Sequence, residues 1–116
     1  MHELSICFAL LDQVQTLAAQ QQAIAVERIV VRIGPLSGVE THLLTQAWPL
    51  AATGTLAQTA ELVFESTPLR VRCTRCNALS DALPNRLLCA VCGDYHTQIE
   101  SGNELLLAQI ELRLPD

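Results

Sequence analysis

Residues 73–92 read CTRCNALSDALPNRLLCAVC, and this stretch decides how the chain is organised. It holds two Cys-x-x-Cys pairs, and each pair is short enough for one tight turn to aim both sulfurs at a single ion. Polar and turn-forming residues here replace the periodic apolar pattern of the flanking chain. The stretch therefore predicts a small module stapled by a tetrahedral zinc ion, with Cys73, Cys76, Cys89 and Cys92 as ligands.

Three other arrangements of these cysteines are open at this point: two local disulfides, a thioredoxin-like redox pair and a rubredoxin-like iron centre. Disulfides conflict with the reducing cytosol that other features of the sequence predict, and a redox pair needs only one such motif. The spacing by itself does not separate iron from zinc. Four protein thiolates leave no open position on the ion, so the zinc is predicted to be structural and not catalytic.

The residues just after each pair and the fifth cysteine have separate roles. Asn77 and Gly93 follow the two pairs, where the chain commonly needs a left-handed residue to close such a turn. Cys7 lies instead on the apolar stripe of a predicted helix, where a small buried thiol fits well. We therefore expect Cys7 to be a core residue and not a metal ligand.

Outward from the cysteines, the periodicity of the chain predicts an α/β base with a three-stranded sheet and two helices. Apolar residues recur every three or four positions in a first helix at 3–21, with a stripe of Leu4, Cys7, Phe8, Leu11, Val14 and Ala18. Alternation predicts strands at 26–34, 61–66 and 104–114, and the pattern at 69–72 allows the second to continue past Pro68. A second helix is predicted at 40–52, ended or kinked by Pro49.

The cysteine module thus lies between two strands of the base. The predicted fold class is α/β, a small three-stranded sheet with two helices that carries an inserted zinc-ribbon module. The predicted domains are a base of residues 1–70 and 104–116 and a zinc-ribbon domain of residues 71–103. An inserted module flanked by strands can exchange between protomers, so both a monomer and a homodimer are compatible with the sequence.

Charge and hydropathy exclude several classes of partner. The net charge is −5, with seven basic residues among twelve acids, which argues against the concentrated basic face that a nucleic-acid binder needs. The amino terminus lacks the pattern of a signal peptide, and no run of about 18 apolar residues is long enough to span a membrane. We therefore expect a cytoplasmic protein without nucleic-acid or membrane partners.

Four stretches together resemble one known family, the HypA/HybF nickel metallochaperones of [NiFe]-hydrogenase maturation. They are MHELSI at 1–6, VRIGPLSGVE at 31–40, the paired Cys-x-x-Cys motifs, and SGNELLLAQIEL at 101–112. The resemblance spans essentially the whole chain and implies the same base with an inserted zinc ribbon. It also implies that nickel binds at the extreme amino terminus through His2 and Glu3, and that the acid at Glu40 belongs to the same site.

The chemistry of the first residues agrees with that implication. The amine of Met1 and the imidazole of His2 can chelate one ion, with the intervening amide nitrogen between them once it deprotonates. Such nitrogen-rich tetragonal surroundings suit Ni(II) or Cu(II) better than zinc, and Glu3 can add an oxygen. The imidazole and the amine must both be unprotonated, so the affinity is expected to fall on acidification.

The resemblance implies a metal-delivery protein and not an enzyme, with Ni²⁺ as cargo and Zn²⁺ as the structural ion. Its implied partners are the GTPase HypB and the precursor of the [NiFe]-hydrogenase large subunit. The chain has no Gly-x-x-x-x-Gly-Lys-Ser/Thr motif, so nucleotide hydrolysis must come from elsewhere. The alternative function is a zinc-ribbon interaction module that binds nucleic acid or a protein complex through a local patch of Arg70, Arg72, Arg75 and Arg86.

Overall fold

The computed structural model describes the backbone of residues 2–116 and the side chains from Glu3 onward. Two helices and two three-stranded sheets make up the regular structure of these residues. The helices are α1 (His2–Gln20) and α2 (Thr41–Ala52). The strands are β1 (Ala25–Ile33), β2 (Glu61–Ser66), β3 (Arg70–Cys73), β4 (Leu79–Asp81), β5 (Thr97–Ser101) and β6 (Leu105–Arg113). One sheet has the order β2-β1-β6 and the other β4-β3-β5.

The chain divides into two compact units. The first holds residues up to Val31 together with Val39–Phe64 and Leu106–Asp116, and the second holds Arg32–Gly38 and Glu65–Leu105. The three-stranded sheet with two helices and the inserted ribbon are confirmed. The domain limits drawn from the sequence, 1–70 with 104–116 and 71–103, stay a prediction. The suggested continuation of β2 past Pro68 is wrong, because residues 70–73 form β3 in the other sheet.

Helix α1 buries a stripe slightly different from the predicted one. Its buried side chains are Cys7, Leu10, Leu11, Val14 and Ala18, which keep the expected spacing of three and four. Leu4 and Phe8 were expected in this stripe, but they are 38% and 51% exposed, because the buried face shifts toward Leu10. Cys7 is fully buried, and its thiol lies 3.6 Å from the Leu44 carbonyl oxygen of α2. The predicted core role of Cys7 is confirmed.

Helix α2 does not end at Pro49 but continues to Ala52. Proline has no N–H to donate to the carbonyl one turn earlier, so the helix tolerates one missing bond here. The Thr53 hydroxyl donates to the Pro49 carbonyl at 2.6 Å, at the point where the helix stops. Trp48 is 3% exposed and donates its indole N–H to the Ala57 carbonyl, which fixes the segment that follows α2.

Strand β1 is the central strand of its sheet, and both of its faces carry buried residues. Ile29, Val31 and Ile33 are buried on one face. Val30 points to the opposite face and is also buried, at 5% exposure, between Arg28 and Arg32 on the same face. These arginines reach across the sheet to carboxylates on both neighbouring strands: Arg28 to Glu61 and Glu111, and Arg32 to Glu65.

The second unit contains a close approach between the loop after β1 and the segment before β6. The N–H of Gly34 donates to the Glu104 carbonyl at 2.9 Å, and the N–H of Leu36 donates to the Gly102 carbonyl at 2.7 Å. The Glu104 carboxylate accepts from the Thr67 hydroxyl at 2.8 Å and from the Gly102 N–H at 2.7 Å. These donors stabilise the carboxylate, with the Thr67 hydroxyl the largest cause, and hold the pKa of Glu104 below its ordinary value.

We expect Glu104→Gln to destabilise the zinc-loaded protein by about 1–2 kcal/mol at neutral pH, because two bonds to a charged oxygen become bonds to a neutral one. The folded pKa of Glu104 is lowered, so its contribution is present above the ordinary pKa of 4.5 and is lost as the pH falls through the folded pKa. Denaturant unfolding of both proteins as a function of pH measures this. The two stability curves should converge in acid.

Glu61→Gln is the matched control, because this carboxylate is 71% exposed and lies 3.6 Å from Arg28. Exposed pairs of this kind contribute little to stability. A Glu104→Gln variant as stable as Glu61→Gln at neutral pH would contradict the assigned role of Glu104.

Candidate metal centres

The first Cys-x-x-Cys pair begins where β3 ends, at Cys73. The chain turns at once, and the N–H groups of Arg75 and Cys76 point at the Cys73 sulfur at 3.3 and 3.4 Å. The N–H of Asn77 closes the turn on the Cys73 carbonyl at 3.0 Å. Asn77 has a φ of +64°, so the predicted left-handed residue is confirmed.

The second pair repeats this local geometry. The N–H groups of Val91 and Cys92 both lie 3.4 Å from the Cys89 sulfur. The N–H of Gly93 closes the turn on the Cys89 carbonyl at 2.9 Å, and Gly93 has a φ of +77°. Each pair therefore presents one buried sulfur, stabilised by two N–H donors, and one exposed sulfur, that of Cys76 or Cys92.

The four sulfurs converge on one point. All lie within 4.8 Å of one another, with 3.5 Å between Cys73 and Cys92 and 3.6 Å between Cys76 and Cys89. A tetrahedral ion with metal–sulfur bonds of about 2.3 Å places its sulfurs about 3.8 Å apart, which the cluster matches. All four thiols are free, so the two local disulfides that the spacing allowed are absent from this structure. The donor set fits a structural zinc ion.

The cysteine thiols of the cluster differ in their pKa values. The N–H of Cys76 is the main reason why the pKa of Cys73 lies below the ordinary thiol value, and the N–H of Cys92 is the largest influence that lowers the pKa of Cys89 to about 6. The N–H of Asp94 favours the thiolate of Cys92, but the nearby Cys73 sulfur and desolvation outweigh it and raise the pKa of Cys92 to about 12. A bound divalent cation stabilises neighbouring thiolates together, because it takes the place of the protons that the sulfurs would otherwise share.

Two polar residues that the sequence analysis did not single out support the ribbon. Ser80 is 7% exposed, and its hydroxyl accepts the N–H of Ala90 at 3.1 Å, which ties β4 to the second pair. Asp94 accepts the N–H of His96 at 2.7 Å and lies 2.6 Å from the His96 Nδ1. Aspartate commonly accepts the N–H of the residue two positions later in turns, so the Asp-Tyr-His sequence at 94–96 carries the signal of this turn.

The predicted nickel ligands are only partly visible. Met1 lies outside the described residues, and His2 is the first residue of α1 with its side chain outside them. Glu3 is half-buried in the first turn of α1, beside a cavity of about 430 Å³ that Leu43 of α2 also lines. Glu40 immediately precedes α2, and its carboxylate lies 3.6 Å from the His42 Nε2. The nickel ligand set stays a prediction.

The local arginine patch of the alternative function is largely neutralised. Three of its four members form ion pairs within the ribbon: Arg70 with Asp81, Arg72 with Glu100 and Arg75 with Asp94, at 3.1, 2.6 and 3.7 Å. Carboxylates this close compete with phosphate for the same guanidinium groups. The geometry therefore disfavours a nucleic-acid interface on the ribbon.

The fold and the cysteine cluster define a small metal-binding protein whose four-thiolate site has no open position for catalysis. Among the residues that the structure describes, neither helix combines the length and the apolar character that crossing a bilayer requires. Comparison with known protein families agrees with this class of protein and indicates a family within it. Residues 1–112 match the family model described as "Hydrogenase/urease nickel incorporation, metallochaperone, hypA".

Individual relatives are similar to this chain in sequence over nearly its whole length. The hydrogenase maturation factor HypA of Nitrosospira multiformis is 44% identical over 97% of both chains, and that of Aquifex aeolicus is 40% identical over 98% of this chain and 99% of its own. The solution structure of the Ni metallochaperone HypA from Helicobacter pylori shares the fold, with a TM-score of 0.74 at 24% identity over 97% of this chain and 98% of that one. A second HypA solution structure gives a TM-score of 0.75 at 27% identity over 97% and 96%. The chain belongs to the HypA family of nickel metallochaperones, which are not enzymes.

Proposed function

We propose that this protein binds Ni(II) at its amino terminus and delivers it to the precursor of the [NiFe]-hydrogenase large subunit during maturation. The observation that carries the proposal is membership of the HypA family over residues 1–112, together with the sequence Met-His-Glu at residues 1–3. The relatives named hydrogenase maturation factors support a hydrogenase as the recipient. Nickel is therefore the cargo, and the ribbon carries a separate ion.

That separate ion is zinc, held by Cys73, Cys76, Cys89 and Cys92. The four sulfurs lie at the separations of a tetrahedral thiolate site, and the N–H groups of the two turns offset part of the negative charge. Zinc binding requires deprotonated thiols and supplies folding free energy to a segment with little apolar core. Its role here is to fix the ribbon and not to react.

For nickel we propose the amine of Met1 and the imidazole of His2 as the principal ligands, with carboxylate oxygens from Glu3 and Glu40. As the first residue of α1, His2 contributes no N–H to the hydrogen bonds of the helix, so its amide nitrogen can bind a metal without breaking one. The helix dipole opposes a cation at this end. Glu3 in the first turn and Glu40 before α2 supply negative charge that offsets it.

The proposed partner is the GTPase HypB. No stretch of the 116 residues matches the phosphate-binding loop Gly-x-x-x-x-Gly-Lys-Ser/Thr, so any step driven by nucleotide hydrolysis needs a second protein. Delivery then couples a metal-binding terminus on this chain to an energy source on the partner. The recipient is the hydrogenase large subunit precursor.

Titration calorimetry with Ni²⁺ on untagged, zinc-loaded protein tests the proposed site. The wild type is expected to bind one equivalent, and both His2→Ala and a variant with one residue added before Met1 are expected to lose that site while retaining zinc. The added residue keeps every side chain and moves only the amine, so it isolates the amine as a ligand. Binding should weaken as the pH falls from about 8 to about 6, a range in which first the amine and then the imidazole take up protons.

His96→Ala is the matched control, because it removes a histidine from the ribbon and leaves the amino terminus intact. This variant should bind nickel like the wild type. Full nickel binding by both terminal variants would refute the amino-terminal site. Nickel binding lost only in His96→Ala would move the site to the ribbon.

A further inference from the structure

His42, in the first turn of α2, is the histidine that the proposed function leaves without a role. The chain has three histidines. His2 is a proposed nickel ligand, and the His96 Nδ1 lies 2.6 Å from the Asp94 carboxylate, a hydrogen-bond distance that engages this ring within the ribbon. The His42 side chain is instead 66% exposed, so its imidazole is accessible to a metal ion.

The Nε2 of His42 faces the Glu40 carboxylate. The two atoms lie 3.6 Å apart, which is longer than a hydrogen bond, so neither is held by the other. Glu40 occupies the N-cap position of α2, but its side chain makes no capping hydrogen bond to the helix. Nitrogen and oxygen ligands of one first-row divalent ion, at bond lengths of about 2.0–2.2 Å, lie about 3–4 Å apart. The pair is therefore spaced as two ligands of one ion.

The topology of the β2-β1-β6 sheet brings the starts of the two helices to the same end of β1. Strands β1 and β2 run in the same direction, because the ion pairs between them advance together along both strands: Arg28–Glu61, then Arg32–Glu65. Helix α2 leads from the end of β1 to the start of β2, and α1 leads into the start of β1. Both helices therefore begin near the end of β1.

Side chains at the starts of the helices line a common cavity. Glu3 of α1 lines the cavity of about 430 Å³ together with Leu43 and Gln46 of α2. His42 precedes Gln46 by four residues, which is one turn of helix, so it lies on the same side of α2. His2 is the neighbour of Glu3 in the chain. His42 thus lies near the helix start that carries the proposed nickel ligands.

We propose that the His42 imidazole is a further ligand of the nickel ion, bound through Nε2 beside a carboxylate oxygen of Glu40. This inference rests on the proposed function, because the remaining ligands come from the amino terminus. The site then contains two imidazoles, those of His2 and His42, together with the amine of Met1 and carboxylate oxygen. Imidazole suits nickel, whereas Mg²⁺ and Ca²⁺ prefer oxygen ligands, so a second ring increases the selectivity of the site against these ions.

X-ray absorption at the nickel edge tests this proposal, because scattering from imidazole rings counts the histidines bound to the ion. The sample is the full-length, untagged, zinc-loaded protein with one equivalent of Ni²⁺. We expect two imidazoles on the nickel of the wild type and one on that of His42→Ala. Competition with a chelator should show a loss of nickel affinity of at least about tenfold in this variant, since even an indirect partner of a metal ligand contributes about 10- to 100-fold.

His96→Ala is the matched control, because it removes one histidine from the ribbon and leaves α2 unchanged. This variant should keep both imidazoles on the nickel and the affinity of the wild type. His42→Ala should retain its zinc and its helix content by circular dichroism, because the His42 side chain is exposed and packs in no core. A change in nickel binding then reports the lost ligand and not a lost fold.

A single imidazole on the nickel of the wild type, or wild-type nickel affinity in His42→Ala, would overturn the proposal. An imidazole lost from His96→Ala and not from His42→Ala would also overturn it, since the second ring would then belong to the ribbon.

His2→Ala separates this inference from the proposed function. If His2→Ala loses nickel and His42→Ala binds it like the wild type, the role of His42 is wrong and the amino-terminal site stands. If His2→Ala and the variant with one residue added before Met1 both keep full nickel binding, the amino-terminal site is wrong, and His42 as a part of it is wrong too.

Discussion

Cys73→Ser is expected to release the ribbon's zinc ion at concentrations where the wild type holds one equivalent, and to unfold the β4-β3-β5 sheet. Cys73 is buried and accepts two N–H groups of its own turn, so serine cannot reproduce either the bond to the ion or the charge that those donors stabilise. Structural zinc sites bind with about 10–16 kcal/mol overall. The loss of one thiolate should thus weaken the affinity by about a hundredfold or more.

Competition of the protein with a chromophoric chelator measures the affinity, and amide chemical shifts of residues 70–101 report the ribbon fold. The matched control is Cys7→Ala, which removes a buried cysteine of the first unit that lies 3.6 Å from the Leu44 carbonyl oxygen. This control should keep its zinc and lose only a modest amount of stability. Zinc held with wild-type affinity by Cys73→Ser would refute the four-thiolate site.

Gly34→Ala is expected to destabilise the second unit by about 3 kcal/mol or more, the second large effect that the structure predicts. A Cβ at this position would lie 2.2 Å from the carbonyl carbon and oxygen of Gly102, far inside contact distance. The clash is with backbone, and the hydrogen bonds Gly34–Glu104 and Leu36–Gly102 hold both segments in place. Relief of the clash therefore requires these bonds to break.

Thermal unfolding of the zinc-loaded protein, with amide chemical shifts as the local probe, measures the effect. Gly54→Ala is the control: its φ of +79° makes alanine strained, but nothing lies within 4 Å of the new Cβ. That variant should lose only about 1–2 kcal/mol from the left-handed backbone. Equal losses in the two variants would show that the close approach of Gly34 to Gly102 contributes nothing beyond ordinary backbone strain.

Much of the fold was readable from local patterns, because the physics behind those patterns is local. The three-and-four spacing predicted α1 to within one residue at each end, and alternation predicted β1 and β6 to within one residue. The cysteine spacing predicted both turns, including the left-handed conformations of Asn77 and Gly93. The predicted end of α2 at Ala52 is confirmed, and the helix passes through Pro49 because the packing of Trp48 and Ala52 compensates for the one missing hydrogen bond.

The same distinction between local patterns and tertiary contacts applies to the candidate sites. Cys-x-x-Cys spacing constrains two sulfurs through a single turn, so the clustering of the four sulfurs within 4.8 Å of one another was predictable from the sequence. Phe8 was placed on the wrong face of α1 because the apolar stripe can rotate by one position, and only the contact with α2 selects which side is buried. The sequence grouped Arg70, Arg72, Arg75 and Arg86 as one patch. Only the structure shows that the first three each lie beside a carboxylate.

The sequence by itself determined the two helices, the three strands of the first sheet and the two cysteine turns, because each depends on residues within one turn or one period of a helix or strand. Only the tertiary structure decided that Gly34 meets Gly102, that the Glu104 carboxylate accepts a hydrogen bond from Thr67, and that Arg72 pairs with Glu100. These contacts join residues that are remote in the chain. Spacing along the sequence carries no information about them, because they form only when the strands that lead into and out of the ribbon come together.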